Sequence, residues 1–264
     1  MVELDKFDEK FYYKIKPIIE SNRSCSQMWA NQREFLNGAV RKFRPKKIVE
    51  IGVFFGGSSS IILNAISDIK DSHLFSIDIR DDPSIGKCVK IIVPNLSNKW
   101  TLFTGYAAAK FMEQIGNGID MAFIDSSHFE PGEILDFLMV LPFLSKGALV
   151  GFHDIGNQIT INSGRREWAP YIIFNLIRGK KYLPSGKGNL IKDIGVIKLE
   201  EDQSPYILDY CRALGGQWEY VPEEKDIEFI RELFKKYYDN ECLLIFEEAY
   251  SFNKEFVKKN PMKY

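Results

Sequence analysis

Short, continuous apolar runs separated by amphipathic stretches occupy residues 46–200. Ile48-Val49-Glu50-Ile51, Leu74-Phe75-Ser76-Ile77-Asp78, Trp100-Thr101-Leu102-Phe103, Met121-Ala122-Phe123-Ile124-Asp125 and Ala148-Leu149-Val150-Gly151-Phe152 read as five strands. Runs without polar alternation suit strands covered on both faces, which is the habit of parallel sheets. The segments between them, including Ser58 to Ile66 and Glu133 to Leu144, predict helices. Strand–helix alternation of this kind predicts an α/β fold: a Rossmann-like, doubly wound, mostly parallel sheet with helices on both faces.

The flanks have a different texture. Residues 1 to about 45 predict helices. Trp29, Phe35, Leu36, Val40 and Phe43 fall roughly on one helical face, and Pro45 stops the run. From 201 to 264 the period is helical again. Ile227, Ile230, Phe234 and Tyr237 are spaced to pack on a core, and Glu241 to Lys259 reads as a last helix that could also serve a homo-oligomer contact. The chain therefore reads as one domain, 1–264, in which a core at 46–200 lies between an N-terminal helical extension (1–45) and a C-terminal one (201–264).

Composition narrows the function classes. With 264 residues and 45% hydrophobic content there is enough chain for a full core. A net charge of -1, from 35 basic and 36 acidic residues, gives no basic excess of the kind that draws nucleic acid. The longest apolar run, Phe137 to Leu144, is broken by Pro142 and is far short of the ~20 residues that span a membrane. The first residues carry no apolar signal core. Cys25, Cys88, Cys211 and Cys242 form no CxxC pair, so four reduced thiols are expected, and with them a cytoplasmic location.

The chemistry starts where the first strand of the core ends, at Glu50-Ile51-Gly52-Val53-Phe54-Phe55-Gly56-Gly57-Ser58. Small residues permit a tight turn and close approach of a ligand, and the helix that follows points free N–H groups back at it. The dinucleotide fingerprint GxGxxG requires glycine at position 54, which is Phe54, although position 57 is glycine. A carboxylate as close as Glu50 would repel a pyrophosphate and suits a cationic ligand. S-adenosylmethionine, with its sulfonium and ammonium groups, is such a ligand. Asp78 ends the second strand, where an acid can hold ribose hydroxyls; with Asp81 and Asp82 beside it, a turn or helix-cap role is the bland alternative. Gly105-Tyr106-Ala107 would lie near the adenine end, where Tyr106 either stacks or packs.

These residues bring a family into view. Val49-Glu50-Ile51-Gly52 with Gly56-Gly57-Ser58-Ser59, Ser76-Ile77-Asp78, Phe123-Ile124-Asp125-Ser126-Ser127-His128, and Leu144 through Gly151-Phe152-His153-Asp154 together resemble one group of class I methyltransferases. It includes the macrolide-sugar and rhamnosyl O-methyltransferases and the cephalosporin-hydroxylase-like proteins. The resemblance covers about residues 28–155. It implies a Rossmann-like fold, S-adenosylmethionine as methyl donor and often Mg²⁺ at the acceptor site. By matching position, Glu50 and Gly52 would serve the methionine part of the donor and Asp78 its ribose; Phe54, Gly56, Ser58, Gly105 and Tyr106 are further candidates for cofactor binding. Asp125 would touch both donor and metal, Asp154 would be the second metal ligand, and His128 the base. Two positions depart from the pattern. Ser126-Ser127 stand where the group usually has Gly-Asp or a similar pair, and Ile155 stands where some metal-dependent relatives carry a second acid or an asparagine.

The residues make chemical sense apart from the resemblance. Asp125 and Asp154 end neighbouring strands about 4.8 Å apart, so both could reach one divalent ion. A metal that holds vicinal hydroxyls positions an acceptor and lowers its pKa, and a histidine near neutrality can take the proton. His128 is three residues past Asp125, although a loop histidine is as often scaffold as base. His153 suits a supporting role and His73 none. Gly156 to Arg166, with Asn157, Gln158, Asn162 and Arg165-Arg166, could fold over the acceptor, or could be solvated surface. Ser185-Gly186-Lys187-Gly188 fails the phosphate-loop pattern and reads as a turn. The leading expectation is O-methylation of a small hydroxylated acceptor such as a sugar or glycosylated metabolite. An NAD(P)-linked oxidoreductase and a non-catalytic S-adenosylmethionine-binding protein on the same fold are the alternatives.

Overall fold

Neighbouring residues of strand β2 (Lys47–Ile51) join different cores. Ile48 packs on one face of the sheet and Val49 on the other, as the two-residue period of a strand requires. The same division runs through the sheet. Leu74, Met121, Phe123 and Leu149 share the first core, while Ile51, Ala122, Ile124, Val150 and Phe152 share the second.

The computed structural model describes residues 2–4, 7–156, 168–185, 193–200 and 202–260. Among them eight strands form one sheet: β1 (Val2–Leu4), β2, β3 (His73–Asp78), β4 (Trp100–Thr104), β5 (Ile119–Ile124), β6 (Leu144–His153), β7 (Gly179–Pro184) and β8 (Ile194–Leu199). Their order across the sheet is β1-β7-β8-β6-β5-β2-β3-β4. Only β8 runs antiparallel to its neighbours, β6 and β7. All five strands expected from the sequence are present. β2 lies between β3 and β5, so the connections diverge there, and a crevice opens at the carboxyl ends of β2 and β5.

Helices α1 (Glu9–Ser21), α2 (Ala30–Phe43), α3 (Gly57–Ala65) and the short α4 (Val89–Ile92) cover the first face. All nine residues of α3 are buried, which is why its sequence, GSSSIILNA, lacks a charged face. Beyond the short α5 (Met112–Ile115), the second face is covered by α6 (Gly132–Val140), α7 (Ala169–Leu176), α8 (Ile207–Arg212), α9 (Glu224–Tyr237) and α10 (Asn240–Lys259). No described helix is long and apolar enough to cross a membrane.

Four expectations need correction. The N-terminal stretch is not wholly helical, because residues 2–4 pair parallel with β7. The helix after Glu133 stops at Val140; a turn carries Pro142, and Leu144 opens β6, since proline donates no N–H to continue a helix. Strands β7 and β8 were not anticipated. Finally, the four cysteines are not all thiols. Cys25 and Cys88 form a disulfide, leaving Cys211 and Cys242 free. The two partners are 63 residues apart and share no local motif, so a reducing compartment no longer follows from the cysteine pattern.

Candidate active site

A cavity of about 700 Å³ opens at the carboxyl ends of β2, β3, β5 and β6. Its floor is the turn from β2 into α3. Gly52 takes φ 89°, and a Cβ there would lie 1.8 Å from the Asp125 carbonyl oxygen. Only glycine lets the ends of β2 and β5 come this close. Phe54 occupies the fingerprint position usually given to glycine, and it takes the glycine-like φ of 48°. The backbone N–H groups of Val53 and Phe54 donate to Asp78 Oδ2 at 3.1 and 2.9 Å, which holds that conformation. Asp78 Oδ1 accepts the backbone N–H of Arg80 and, at 3.3 Å, its Nε. Asp78 thus braces the turn while lining the cavity.

Glu50 lies beneath this floor rather than on it. It is fully buried, and it accepts hydrogen bonds from Ser58 Oγ on one carboxyl oxygen and from Ser59 and Ser76 Oγ on the other, each at 2.6 Å. Strand register explains the site. Glu50 pairs with Ser76, so both point to the α3 face. Burial pushes its carboxyl up to about 7, against the pull of the three serine hydroxyls. At Gly57 the close approach is made by protein. A Cβ there would sit 2.3 Å from the Cys25 carbonyl and 2.7 Å from Ser26 Cβ. The segment Cys25 to Trp29 and Gln32 forms part of the cavity wall, with Trp29 75% exposed. Of the other expected donor residues, Ser58 and Tyr106 line the cavity; Gly56 and Gly105 shape its turns, both at positive φ, without facing it. Tyr106 packs edge-on against Phe111 and Phe229.

At the other end, acids and histidines converge. Asp125, His128 and Asp154 bring ligand atoms within 4.8 Å of one another, and His153, Asp154 and Asp193 do the same. His128 Nδ1 lies 3.3 Å from Asp154 Oδ2 and 3.5 Å from Glu133 Oε1. His153 Nδ1 lies 2.8 Å from Asp154 Oδ2 and 3.5 Å from Asp125 Oδ1. His128 (φ 65°) and Asp154 (φ 55°) both adopt the left-handed region, a cost of order ~1–3 kcal/mol each that surrounding contacts must offset. One such contact is the His128 backbone N–H to Glu133 Oε1, at 2.7 Å. Burial opposes a charge on His128, but the nearby carboxylates of Glu133, Asp154 and Asp125 outweigh it and push its pKa up to about 10. His153 is likewise raised well above its ordinary value, as the charge of Asp125 and the bond to Asp154 overcome burial. His73 is bound to Thr101 Oγ1 and lies outside the cavity.

Ser126 and Ser127 have clear structural partners. Ser126 Oγ lies 2.6 Å from Asp136 Oδ2 and 3.1 Å from Glu133 Oε1, and Ser127 Oγ lies 3.2 Å from Tyr220 Oη. The serines fasten the loop after β5 to α6 and to the C-terminal extension. Burial raises Asp136 to about 8.

Residues 49–155, the stretch that frames this cavity, match the family model of a methyltransferase domain. That match makes the stretch similar to a methyltransferase domain and takes in less than half of the chain. Solved structures share its fold. The O-methyltransferase of Bacillus cereus in complex with SAH is 16% identical, with TM-score 0.54, over 72% of this chain and 91% of that one. TomG of Streptomyces achromogenes, an O-methyltransferase involved in tomaymycin synthesis and solved with SAM, is 17% identical, with TM-score 0.51, over 74% and 91%. The SAH-bound methyltransferase PaMTH1 of Podospora anserina is 15% identical, with TM-score 0.52, over 71% and 88%. A comparison with curated proteins finds no match.

The cavity also has walls that sequence reading missed. Tyr220, Pro222 and Ile230 line it from the C-terminal extension; α9, which carries Ile230, is tied to the turn after β4 by Asp226 Oδ1, which accepts the Ala107 N–H at 2.7 Å. Ile79, next after Asp78, stays 48% exposed in the wall, and an apolar residue just past an acid at a strand end was the available signal. Asp193 gave none. The polar segment expected to cover the acceptor lies outside the described residues from Asn157 onward, as do Gly186 to Gly188.

Proposed function

We propose that this methyltransferase transfers the methyl group of S-adenosylmethionine to a hydroxyl of a small molecule, such as a sugar or glycosylated metabolite, with a divalent cation, Mg²⁺ by its preference for oxygen ligands, at Asp125 and Asp154. The observation that carries the proposal is the gathering of Asp125, His128 and Asp154 in the same cavity as the Gly52 turn and Asp78. The donor set fits the ion. Carboxylate oxygens dominate it, with the imidazoles of His128 and His153 beside them.

In this reading the Gly52–Ser58 turn and Asp78 take the donor, and Tyr106, Ile79 and Ile230 enclose its adenine. Asp125, at the junction of the two halves, faces both donor and acceptor. A bound divalent cation would supply the charge that holds an acceptor hydroxyl and lowers its pKa. His128 would take the acceptor's proton once a cation at Asp125 and Asp154 offsets the carboxylates, Glu133 first among them, that hold it protonated, a role open to an imidazole near its ordinary range.

Titration calorimetry tests the donor half. S-adenosylhomocysteine should bind the purified chain, and NADH should not; no heat with the former overturns it. Methyl transfer to a panel of hydroxylated acceptors should stop with EDTA and return with Mg²⁺. Transfer that ignores EDTA overturns the cation half.

A further inference from the structure

We infer that Asp193 supplies the third carboxylate of the cation site at Asp125 and Asp154. This rests on the reading that a divalent cation sits there. The residue after Asp154 is Ile155, which is 6% exposed and packs into the core on the α6 side of the sheet. It offers the cavity no ligand atom. The fold brings in a replacement from another strand. β8 runs antiparallel to β6, with Ile194 opposite His153. The residue before Ile194 must therefore lie beside the residue after His153, and that pairing sets Asp193 against Asp154.

Local contacts hold Asp193 in that position. Its Oδ1 accepts the Gly156 backbone N–H at 2.8 Å, and Gln32 Nε2 lies 3.4 Å from its Oδ2. A carboxyl oxygen of Asp193 comes within 4.8 Å of ligand atoms of both Asp154 and His153. Asp154 is shared with the trio that includes Asp125 and His128, so the two trios form one continuous wall, and all five residues line the cavity. His153 is 8% exposed, and its Nε2 has no hydrogen-bond partner among the described residues, an unmet donor or acceptor in the same wall. A hard divalent ion gathers several oxygens, and Asp154 stands between Asp125 on one side and Asp193 on the other, with ligand atoms within 4.8 Å of each.

Mn²⁺ alone is the probe, followed by the paramagnetic resonance of the free ion against the full-length chain. Asp193→Asn keeps an oxygen for the Gly156 N–H and removes the charge. It should weaken Mn²⁺ binding by about tenfold or more, while the affinity for S-adenosylhomocysteine and the melting temperature stay as in the wild type. If Asp193→Asn does not fold, Asp193→Ser carries the same comparison. Wild-type Mn²⁺ affinity in the Asp193 variant, with Asp125→Asn and Asp154→Asn both defective, overturns the inference and leaves the proposed function standing. Absence of Mn²⁺ binding by the wild-type chain overturns the inference together with the cation half of the proposed function.

Discussion

Asp78 accepts the backbone N–H of Phe54 at 2.9 Å, and that bond, with the one from Val53 at 3.1 Å, joins the end of one strand to the turn after its neighbour. The acid fixes a non-glycine residue at positive φ and remains on the cavity wall. Asp78→Ala leaves three backbone donors, of Val53, Phe54 and Arg80, without their acceptor. The expected loss is about 1–3 kcal/mol of folding stability and at least about tenfold in S-adenosylhomocysteine affinity. Urea unfolding and calorimetry check the two. Unchanged affinity in a folded variant would mean that Asp78 serves only the turn.

Gly52 admits no side chain. Its added Cβ would overlap the Asp125 carbonyl oxygen at 1.8 Å and would carry a φ of 89°. Gly52→Ala should destabilise the chain by roughly 3 kcal/mol or more, because backbone is what must move. A melting temperature within a degree of wild type would refute the packing described for β2 and β5.

Glu50 and Asp136 make stability fall as pH rises. Burial lifts the first from 4.5 to about 7 and the second from 3.8 to about 8. Each keeps in the folded chain a proton that the unfolded chain releases. Their stabilising effect is whole below the unfolded values near 4 and is lost as pH climbs through 7 and 8. The urea midpoint should drop between pH 5 and pH 8, and Glu50→Gln and Asp136→Asn should each flatten that slope. A slope left intact by both variants would assign it to other groups.

The Cys25–Cys88 bond restrains the unfolded chain. For partners 63 residues apart, the chain-entropy argument gives about 4 kcal/mol at 25 °C. Denaturant titration with and without a reductant, repeated on Cys25→Ser/Cys88→Ser, should show a loss of about 2–4 kcal/mol in the first case and none in the second. Equal midpoints for the wild type in both buffers would show that the bond contributes nothing.

How much of this was legible follows from where the information lies. The five strands were readable because burial on both faces leaves unbroken apolar runs such as Ile48-Val49 and Phe123-Ile124. Asp125, His128, Asp154 and Asp78 were readable because strand ends face the crevice. Glu50 was read as near the ligand because proximity in sequence looks like proximity in space; the two-residue period instead turned it toward Ser58, Ser59 and Ser76. Asp193, Tyr220 and Cys88 depended on tertiary pairing: a strand register, a loop returning from the C-terminal extension, and a partner 63 residues away. No local pattern encodes those.

The disulfide has a topological consequence. It closes residues 25 through 88 into a covalent ring, and β2, the Gly52–Ser58 turn, α3 and β3 are all strung on it. A single proteolytic cut anywhere inside that ring cannot part the chain. The nicked molecule would run on a gel as one band until a thiol separates it into two. The N-terminal segment that walls the cavity therefore stays leashed to the turn it covers, even after the peptide thread between them has been severed.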